Sequence, residues 1–179
     1  MASDTTLVST LLKIVRHLNQ ARLQYALAGG WAYSALVEPR ATTDIDLLIV
    51  LPDTSREAIG RLFAPLFDTV VAHGMPMRFK DLSIWRVVGI RNQQEVVVDL
   101  LLAESEFLQH ALNRAQPIEF FGQNVPILTL EDLIVMKECA GRLQDRADLE
   151  KIRQRQTELQ IDRDYVHFWK TKLGVPGNG

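Results

Sequence analysis

The chain has 179 residues, of which 47% are hydrophobic, and this predicts a single compact domain with a substantial core. Its formal net charge of −2 excludes nucleic-acid binding driven by a basic field over the whole chain. Cys139 is the single cysteine, which excludes an intramolecular disulfide and suits a reducing compartment. The first residues lack the pattern of a secretory signal, and no apolar run could span a bilayer, so we expect a cytoplasmic protein.

The first half of the chain alternates between predicted helices and strands. Apolar residues recur every three or four positions in the helices and run together in the strands. The pair Gly29-Gly30 separates a strand from the helix after it, and Pro65 marks a kink or an early end of the third helix. The predicted elements are a helix over residues 7–18 that packs on a sheet, a strand over 24–28, a helix over 31–37, a strand over 43–51 and a helix over 59–67.

The second half opens with two long predicted strands. Both are dense in β-branched residues, and the four residues 91–94 between them predict a hairpin connection. Thr129 starts a later helix, because its hydroxyl can cap an exposed amide while Asp132 lies at the positive helix end. The predicted elements are strands over residues 83–90, 95–102, 118–121 and 125–128, and helices from residue 130, over 147–155 and over 164–172.

These elements predict an α+β fold with a small mixed sheet, helices against it and a short helical C-terminal part. Residues 1–130 form the predicted core, and residues 131–173 form the helical part of the same domain. Residues 174–179 are rich in glycine and can bury little apolar area, so we expect them to be a frayed tail.

Three acidic residues interrupt the most apolar strands. Asp44 and Asp46 are two positions apart in one strand, so their side chains project from the same face of the sheet. Asp99 lies within the apolar run of the strand over residues 95–102. Buried like charges repel unless a proton, a basic group or a cation compensates them. If the two strands are neighbours, three carboxylates converge.

Carboxylate oxygens are the ligands that Mg²⁺ prefers, with water and substrate phosphates completing its octahedron. Gly29-Gly30 adds a second feature, because glycines at a turn from strand to helix let the backbone approach a phosphate, and the amides of the helix start favour negative charge. The acids and the turn together are typical of nucleotide chemistry.

Each feature has an ordinary structural explanation when taken alone. A pair such as Asp44 and Asp46 is more often a solvated strand end, and two glycines usually form only a turn. Asp99 could simply be the partner of an arginine. The functional interpretation depends on the three features occurring together, in the order that one reaction requires.

The sequence resembles the polymerase-beta-like nucleotidyltransferase superfamily, whose pattern is a glycine turn, an acid-x-acid strand and a later third acid. More narrowly, it resembles the branch of abortive-infection-type toxin, minimal and lincosamide nucleotidyltransferases, which also carries a helix lysine followed by an Arg/Asp-rich segment. The matching residues are Leu27-Ala28-Gly29-Gly30, Arg40, Thr42, Thr43-Asp44-Ile45-Asp46-Leu47, Val98-Asp99-Leu100, Lys137, Arg142, Asp145, Arg146 and Asp148.

The resemblance implies a nucleotidyltransferase fold and a reaction that uses an NTP and Mg²⁺, with two ions expected. Asp44 and Asp46 would be metal ligands, and Asp99 would be a metal ligand or the general base for the acceptor hydroxyl. Five further residues would bind the NTP cofactor: Gly29, Gly30, Arg40, Thr42 and Lys137.

The segment after Lys137 has a second interpretation. Its arginines alternate with acids at helical pairing distances, which is typical of a solvated, salt-bridged helix face. Lys137 could likewise be a solvated residue on the surface of its helix. Asp145 and Asp148 could instead orient Lys137 or Arg40 from behind the site.

Two rival hypotheses remain at this stage. One is a non-catalytic module that binds a nucleotide or a partner, for example one component of a toxin–antitoxin pair. The other is a structural domain whose acids are paired with Arg40 and Arg78. For an enzyme, the acceptor could be tRNA, a protein hydroxyl or a small hydroxyl compound, and no membrane is expected to take part.

Overall fold

The computed structural model of the protein describes residues 2–79 and 82–175. Of the predicted frayed tail, residues 176–179 lie outside this range. Helices and strands alternate in the first half, and helices dominate the end of the chain. The helices are α1 (Ala2–Gln20), α2 (Gly29–Leu36), α3 (Arg56–Phe63), a short 3-10 helix (Ala64–Leu66), α4 (Glu106–Arg114), α5 (Leu130–Ala140), α6 (Leu143–Gln154) and α7 (Arg163–Lys172).

One mixed sheet contains eight strands among the described residues. The strands are β1 (Tyr25–Leu27), β2 (Asp44–Ile49), β3 (Thr69–Ala72), β4 (Met77–Phe79), β5 (Leu82–Arg91), β6 (Gln94–Leu102), β7 (Gln116–Phe120) and β8 (Gln123–Ile127). Their order is β3-β5-β6-β2-β1-β8-β7, with β4 also paired to β5. The pairs β2–β6 and β1–β8 are parallel, and the other pairs are antiparallel.

The predicted α+β class and mixed sheet are confirmed, and the sheet is larger than expected. The predicted early end of the third helix at Pro65 is confirmed, because the chain leaves α3 there for the short 3-10 helix. Three elements were missed, namely β3, β4 and α4. The two missed strands are three and four residues long, too short to show a clear alternation. Helix α4 carries a capping signal, since the Ser105 hydroxyl accepts the Leu108 amide at 3.4 Å.

The sheet is packed on both faces. Leu11 and Ile14 of α1 belong to the same buried cluster as Leu47 of β2, which confirms that the first helix packs on the sheet. Leu48 lies on the opposite face, in a second cluster that includes Trp169 of α7. Full burial of such a side chain contributes roughly 1.5–3 kcal/mol relative to exposure. Because side chains alternate along a strand, the face that carries Leu48 is also the face of Asp44 and Asp46.

A two-residue turn connects the two longest strands. Arg91 pairs with Gln94, and the residues between them, Asn92 and Gln93, both have positive φ values, of 50° and 63°. Such a turn matches the right-handed twist of the flanking strands and fixes their register. The predicted hairpin over residues 91–94 is therefore confirmed.

The C-terminal helices are joined by a tight connection. Thr129 caps α5 as predicted, and Gly141 ends this helix in the left-handed conformation at φ +63°. Arg142 follows directly as the first flanking residue of α6. No helix of the described part of the chain is long and apolar enough to cross a bilayer.

Candidate active site

The parallel pairing of β2 with β6 brings the three predicted acids together. Asp46 lies directly opposite Asp99, and Asp44 is two residues before Asp46 on the same face. One carboxylate oxygen from each of the three residues lies within 4.8 Å of the others. The predicted convergence of the three acids is confirmed.

This convergence is electrostatically unfavourable without a compensating charge. Burial, together with the charges of Asp44 and Asp99, raises the pKa of Asp46 to about 7. The Arg142 guanidinium and a hydrogen bond from the Gly30 amide act in the opposite direction on this pKa. A carboxylate with such a pKa binds a proton tightly, and a bound cation could replace that proton.

The two glycines lie against the acids and are required by close contacts. Gly29 has φ +54°, and a Cβ atom there would lie 1.9 Å from Oδ2 of Asp46. A Cβ atom on Gly30 would lie 2.6 Å from Nη2 of Arg40 and 2.7 Å from Oγ1 of Thr42. Only glycine therefore lets the start of α2 approach Asp46, Arg40 and Thr42 together.

Thr42 and Trp31 position the start of β2. The Thr42 hydroxyl lies 3.3 Å from both the carbonyl oxygen and Oδ1 of Asp44. The Trp31 indole N–H donates to the same carbonyl oxygen at 3.0 Å, and the ring is buried. These contacts fix the backbone of Asp44 from two sides.

Arg86 is a site residue that the sequence reasoning missed. Its Nε and Nη2 atoms donate to Oδ1 and Oδ2 of Asp99 at 2.8 and 2.6 Å, so the pair is bidentate. The hydrogen bond from Arg86 to Asp99 raises the pKa of the Arg86 guanidinium. The hairpin could have predicted this pair, because counting back five residues on each strand from Arg91 and Gln94 brings Arg86 opposite Asp99.

Lys137 is buried, which contradicts its interpretation as a solvated residue. It is 5% exposed, and its Nζ atom lies 2.5 Å from Oδ2 of Asp148 and 3.5 Å from Oδ1 of Asp145. Both acids are 2% exposed, so the solvated-face interpretation is wrong for them. The other interpretation, that Asp145 and Asp148 orient Lys137 or Arg40, agrees with these contacts and with the 3.7 Å between Arg40 Nε and Asp148 Oδ1.

The structural-domain hypothesis assigned the wrong partners to the acids. It expected Arg40 and Arg78 to neutralise the three aspartates, whereas Asp99 pairs with Arg86 and Arg40 lies beside Asp148. Asp44 and Asp46 form no salt bridge among the residues that the structure describes.

The sequence also matches a known protein family. Residues 7–171 match the family described as "Nucleotidyl transferase of unknown function (DUF2204)". This match spans nearly the whole chain, including the three acids, the glycine turn and helices α5 and α6. No curated protein shows a significant match.

Solved structures share the fold at low sequence identity. A nucleotidyltransferase from Thermotoga maritima, TM1012, is 17% identical with a TM-score of 0.54, over 79% of this chain and 88% of that one. ANT(2")-Ia in complex with adenylyl-2"-tobramycin is 17% identical with a TM-score of 0.60, over 94% and 99%. The solution structure of ANT(2'')-Ia, an antibiotic-resistance factor, is 18% identical with a TM-score of 0.60, over 96% and 92%. The chain thus has the nucleotidyltransferase fold and belongs to the nucleotidyl transferase family DUF2204, which makes it an enzyme of the nucleotidyltransferase class.

Proposed function

We propose that this enzyme uses Mg²⁺ to move a nucleoside monophosphate from an NTP to a hydroxyl acceptor, with release of pyrophosphate. The observation that carries the proposal is the meeting of Asp44, Asp46 and Asp99 beside a glycine turn. The family supports nucleotidyl transfer in general, whereas the metal and the substrates belong to the proposal.

The residues present fit a divalent cation. Three carboxylates offer hard oxygen ligands within 4.8 Å of one another, and burial together with the charges of Asp44 and Asp99 raises the pKa of Asp46, which a bound cation would oppose. We assign Asp44 and Asp46 as metal ligands and expect two ions. When bound, Mg²⁺ would neutralise phosphate charge and stabilise the attacking and leaving oxygens.

Asp99 is assigned as a third ligand or as the general base. Arg86 occupies one acceptor position on each of its carboxylate oxygens, and a carboxylate has about four such positions, so capacity remains. As the base, Asp99 would take the proton of the acceptor hydroxyl. The acceptor oxygen then bonds to the α-phosphorus while the bond to pyrophosphate breaks on the opposite side.

The glycine turn and its neighbours are proposed to hold the phosphates. Gly29 and Gly30 let the backbone at the start of α2 lie directly against Asp46, Arg40 and Thr42. The Nε atom of Arg40 is buried 3.7 Å from Oδ1 of Asp148, whereas its Nη2 atom lies against Gly30, so the Nη2 end is the one proposed to contact a phosphate. Lys137 stays a predicted contact, although its ammonium group already faces two carboxylates.

The acceptor is the least specified part of the proposal. One structural neighbour was solved with adenylyl-2"-tobramycin, and it is matched over almost its full length, which supports testing small hydroxyl compounds. tRNA and protein hydroxyls remain in the acceptor screen. Membership of the toxin and lincosamide branch and a cytoplasmic location are also part of the proposal.

One observation favours a second candidate function, a non-catalytic module that binds a nucleotide or a toxin–antitoxin partner. Both oxygens of Asp99 are bonded to Arg86, so the third acid is partly neutralised without a metal. Such a module would bind a nucleotide without turning it over.

Calorimetric titration tests the proposal. ATP, CTP, GTP and UTP are titrated into the protein with and without Mg²⁺, beside the double variant Asp44→Asn, Asp46→Asn and the control Asp164→Asn, an exposed acid of α7. We expect Mg²⁺-dependent binding of at least one NTP, lost in the double variant and kept in the control. Absence of NTP binding in the wild-type protein would overturn the proposal, and binding without pyrophosphate release in the acceptor screen would favour the second candidate.

A further inference from the structure

Three cations share two buried carboxylates behind the glycine turn. Asp145 and Asp148 of α6 contact Lys137, Arg142 and Arg40, so this group carries one positive charge in excess. It lies next to the phosphate-binding turn of the proposed function, because Arg40 reaches from Asp148 to Gly30. The excess charge therefore lies where an anion would bind.

Lys137 is fully engaged inside this group. Its ammonium group has three N–H donors, and it faces the carboxylates of Asp145 and Asp148 and the ring of Tyr33, whose centroid is 5.5 Å from Nζ. Moving it to a phosphate would leave the buried Asp148 carboxylate with only Arg40, at 3.7 Å, as an ion-pair partner. Lys137 therefore acts as an internal counter-ion.

Arg142 differs from Lys137 in exposure, although both bind Asp145. Its side chain is 75% exposed. It is nevertheless held in place, because Nε and Nη2 donate to the two oxygens of Asp145 at 2.7 and 3.3 Å, and its own backbone amide donates to the same carboxylate at 3.2 Å. A guanidinium has five N–H donors, so the outer ones remain for a ligand.

The exposed guanidinium of Arg142 is linked to the glycine turn by a chain of contacts, because its partner Asp145 meets Lys137, Lys137 meets Asp148, and Asp148 meets Arg40 beside Gly30. The charges of Asp46 and Asp44 also contribute to the raised pKa of Arg142, after its hydrogen bond to Asp145. Arg142 thus occupies the α5–α6 connection at the edge of the site, with a fixed geometry and unused donors. A planar guanidinium of this kind binds phosphate oxygens in pairs.

We infer that Arg142 contacts the β- and γ-phosphates of the bound NTP, and that Asp145 and Lys137 are positioning residues that hold it there. This inference rests on the proposed function, and it assigns the phosphate contact to Arg142 in place of Lys137, the contact that the sequence predicted. The chain of contacts runs from the buried ammonium of Lys137 through the Asp145 carboxylate to the exposed Arg142 guanidinium.

The test compares Arg142→Ala with Arg153→Ala. Arg153 is an exposed arginine of α6 that pairs only with Glu150 in the described structure. Inorganic tripolyphosphate and the NTP that binds best are titrated with Mg²⁺ at two salt concentrations. We expect Arg142→Ala to weaken both ligands at least about tenfold and to reduce the salt dependence of binding, because one phosphate contact is lost. Arg153→Ala should leave both unchanged, and equal affinity in the two variants would overturn the inference.

Two further variants test the positioning roles. Asp145→Asn keeps the shape of the side chain but removes its charge, so tripolyphosphate affinity should fall less than in Arg142→Ala, with the protein still folded at the temperature of measurement. Lys137→Met should lower the melting temperature, and under conditions where it is folded it should bind tripolyphosphate more tightly than Arg142→Ala does. If folded Lys137→Met instead loses as much affinity as Arg142→Ala, Lys137 is itself the phosphate contact and the inference is wrong. A wild-type protein that binds no NTP would refute the proposed function, whereas wild-type binding with an unaffected Arg142→Ala would refute this inference alone.

Discussion

The protein contains two clusters of aspartates that are built from the same residue type and differ in how their charge is compensated. Asp145 and Asp148 enclose Lys137, and these three side chains are buried. The triad of Asp44, Asp46 and Asp99 has a direct ion pair at Asp99 only, among the described residues. A compensated cluster stabilises the fold, whereas an undercompensated one retains affinity for a cation. The contrast separates a structural cluster from a candidate metal site more clearly than the number of acids does.

The largest effect is expected when the undercompensated cluster loses one acid. Asp46→Asn should reduce NMP transfer by roughly 10⁴-fold, or about 5 kcal/mol in the activation barrier, because a central carboxylate of the proposed metal site is removed. The measurement is pyrophosphate release with the acceptor found in the screen. Asp164→Asn serves as the control, and activity near the wild-type level in Asp46→Asn would remove this residue from the site.

The next effect concerns the compensated cluster. Lys137→Met should lower the free energy of unfolding by about 3–5 kcal/mol, because it removes a buried cation from two buried carboxylates and leaves Asp148 with only the more distant Arg40. Urea unfolding followed by circular dichroism measures this change. A loss below about 1 kcal/mol would mean that the ion pairs contribute little, as exposed pairs do.

Removing Arg86 should leave the negative charge of the triad even less compensated. Arg86→Met leaves Asp99 buried without its bidentate partner, so the metal-free protein should lose about 2 kcal/mol of stability. Mg²⁺ should restore part of this loss, since a cation can replace the guanidinium charge. Melting temperatures with EDTA and with Mg²⁺ give both values, and an equal Mg²⁺ effect in wild type and variant would contradict the prediction.

The pH dependence of stability tests the charge of Asp46 without a change in the sequence. The pKa of Asp46 is about 7 in the folded protein and about 3.9 in the unfolded chain, so the folded state binds the proton more tightly. Metal-free stability should therefore decrease as the pH rises from about 4 to about 7 and then level off. Melting temperatures with EDTA across this range measure the decrease.

Asp46→Asn is the matched control for the pH series. Its profile should lack this contribution, and the variant should melt about 3 °C or more above wild type at pH 8 without metal. Parallel profiles of the two proteins would show that Asp46 does not titrate in this range.

The sequence was sufficient to predict the triad and most of the elements that carry it. Alternation along β2 placed Asp44 and Asp46 on one face. The apolar composition of β6 indicated that the charge of Asp99 required a partner or a functional role. The argument had to assume that β2 and β6 are neighbouring strands, because parallel pairing between distant segments leaves no local signal in the sequence. The structure shows that the two strands pair.

The ion network was harder to predict than the triad. Lysines and aspartates at helical spacing occur on solvated faces far more often than in buried groups, so the pattern after Lys137 indicated a surface. The burial of this network depends on how α5 packs against α2 and α6, which the sequence does not show. Arg86, in contrast, could have been found from the register of the hairpin alone.

The turn at Asn92 and Gln93 makes chain length between β5 and β6 a determinant of the chemistry. Because Arg86 meets Asp99 only in the observed register, one inserted residue that shifted the pairing would point Asp99 into the hydrophobic core and leave Arg86 opposite an aliphatic side chain. Two turn residues that touch neither acid therefore act as a spacer for the site. Anyone who engineers this protein should treat the turn as part of the site, and loop insertions there should be avoided even though the turn lies at the far end of the hairpin.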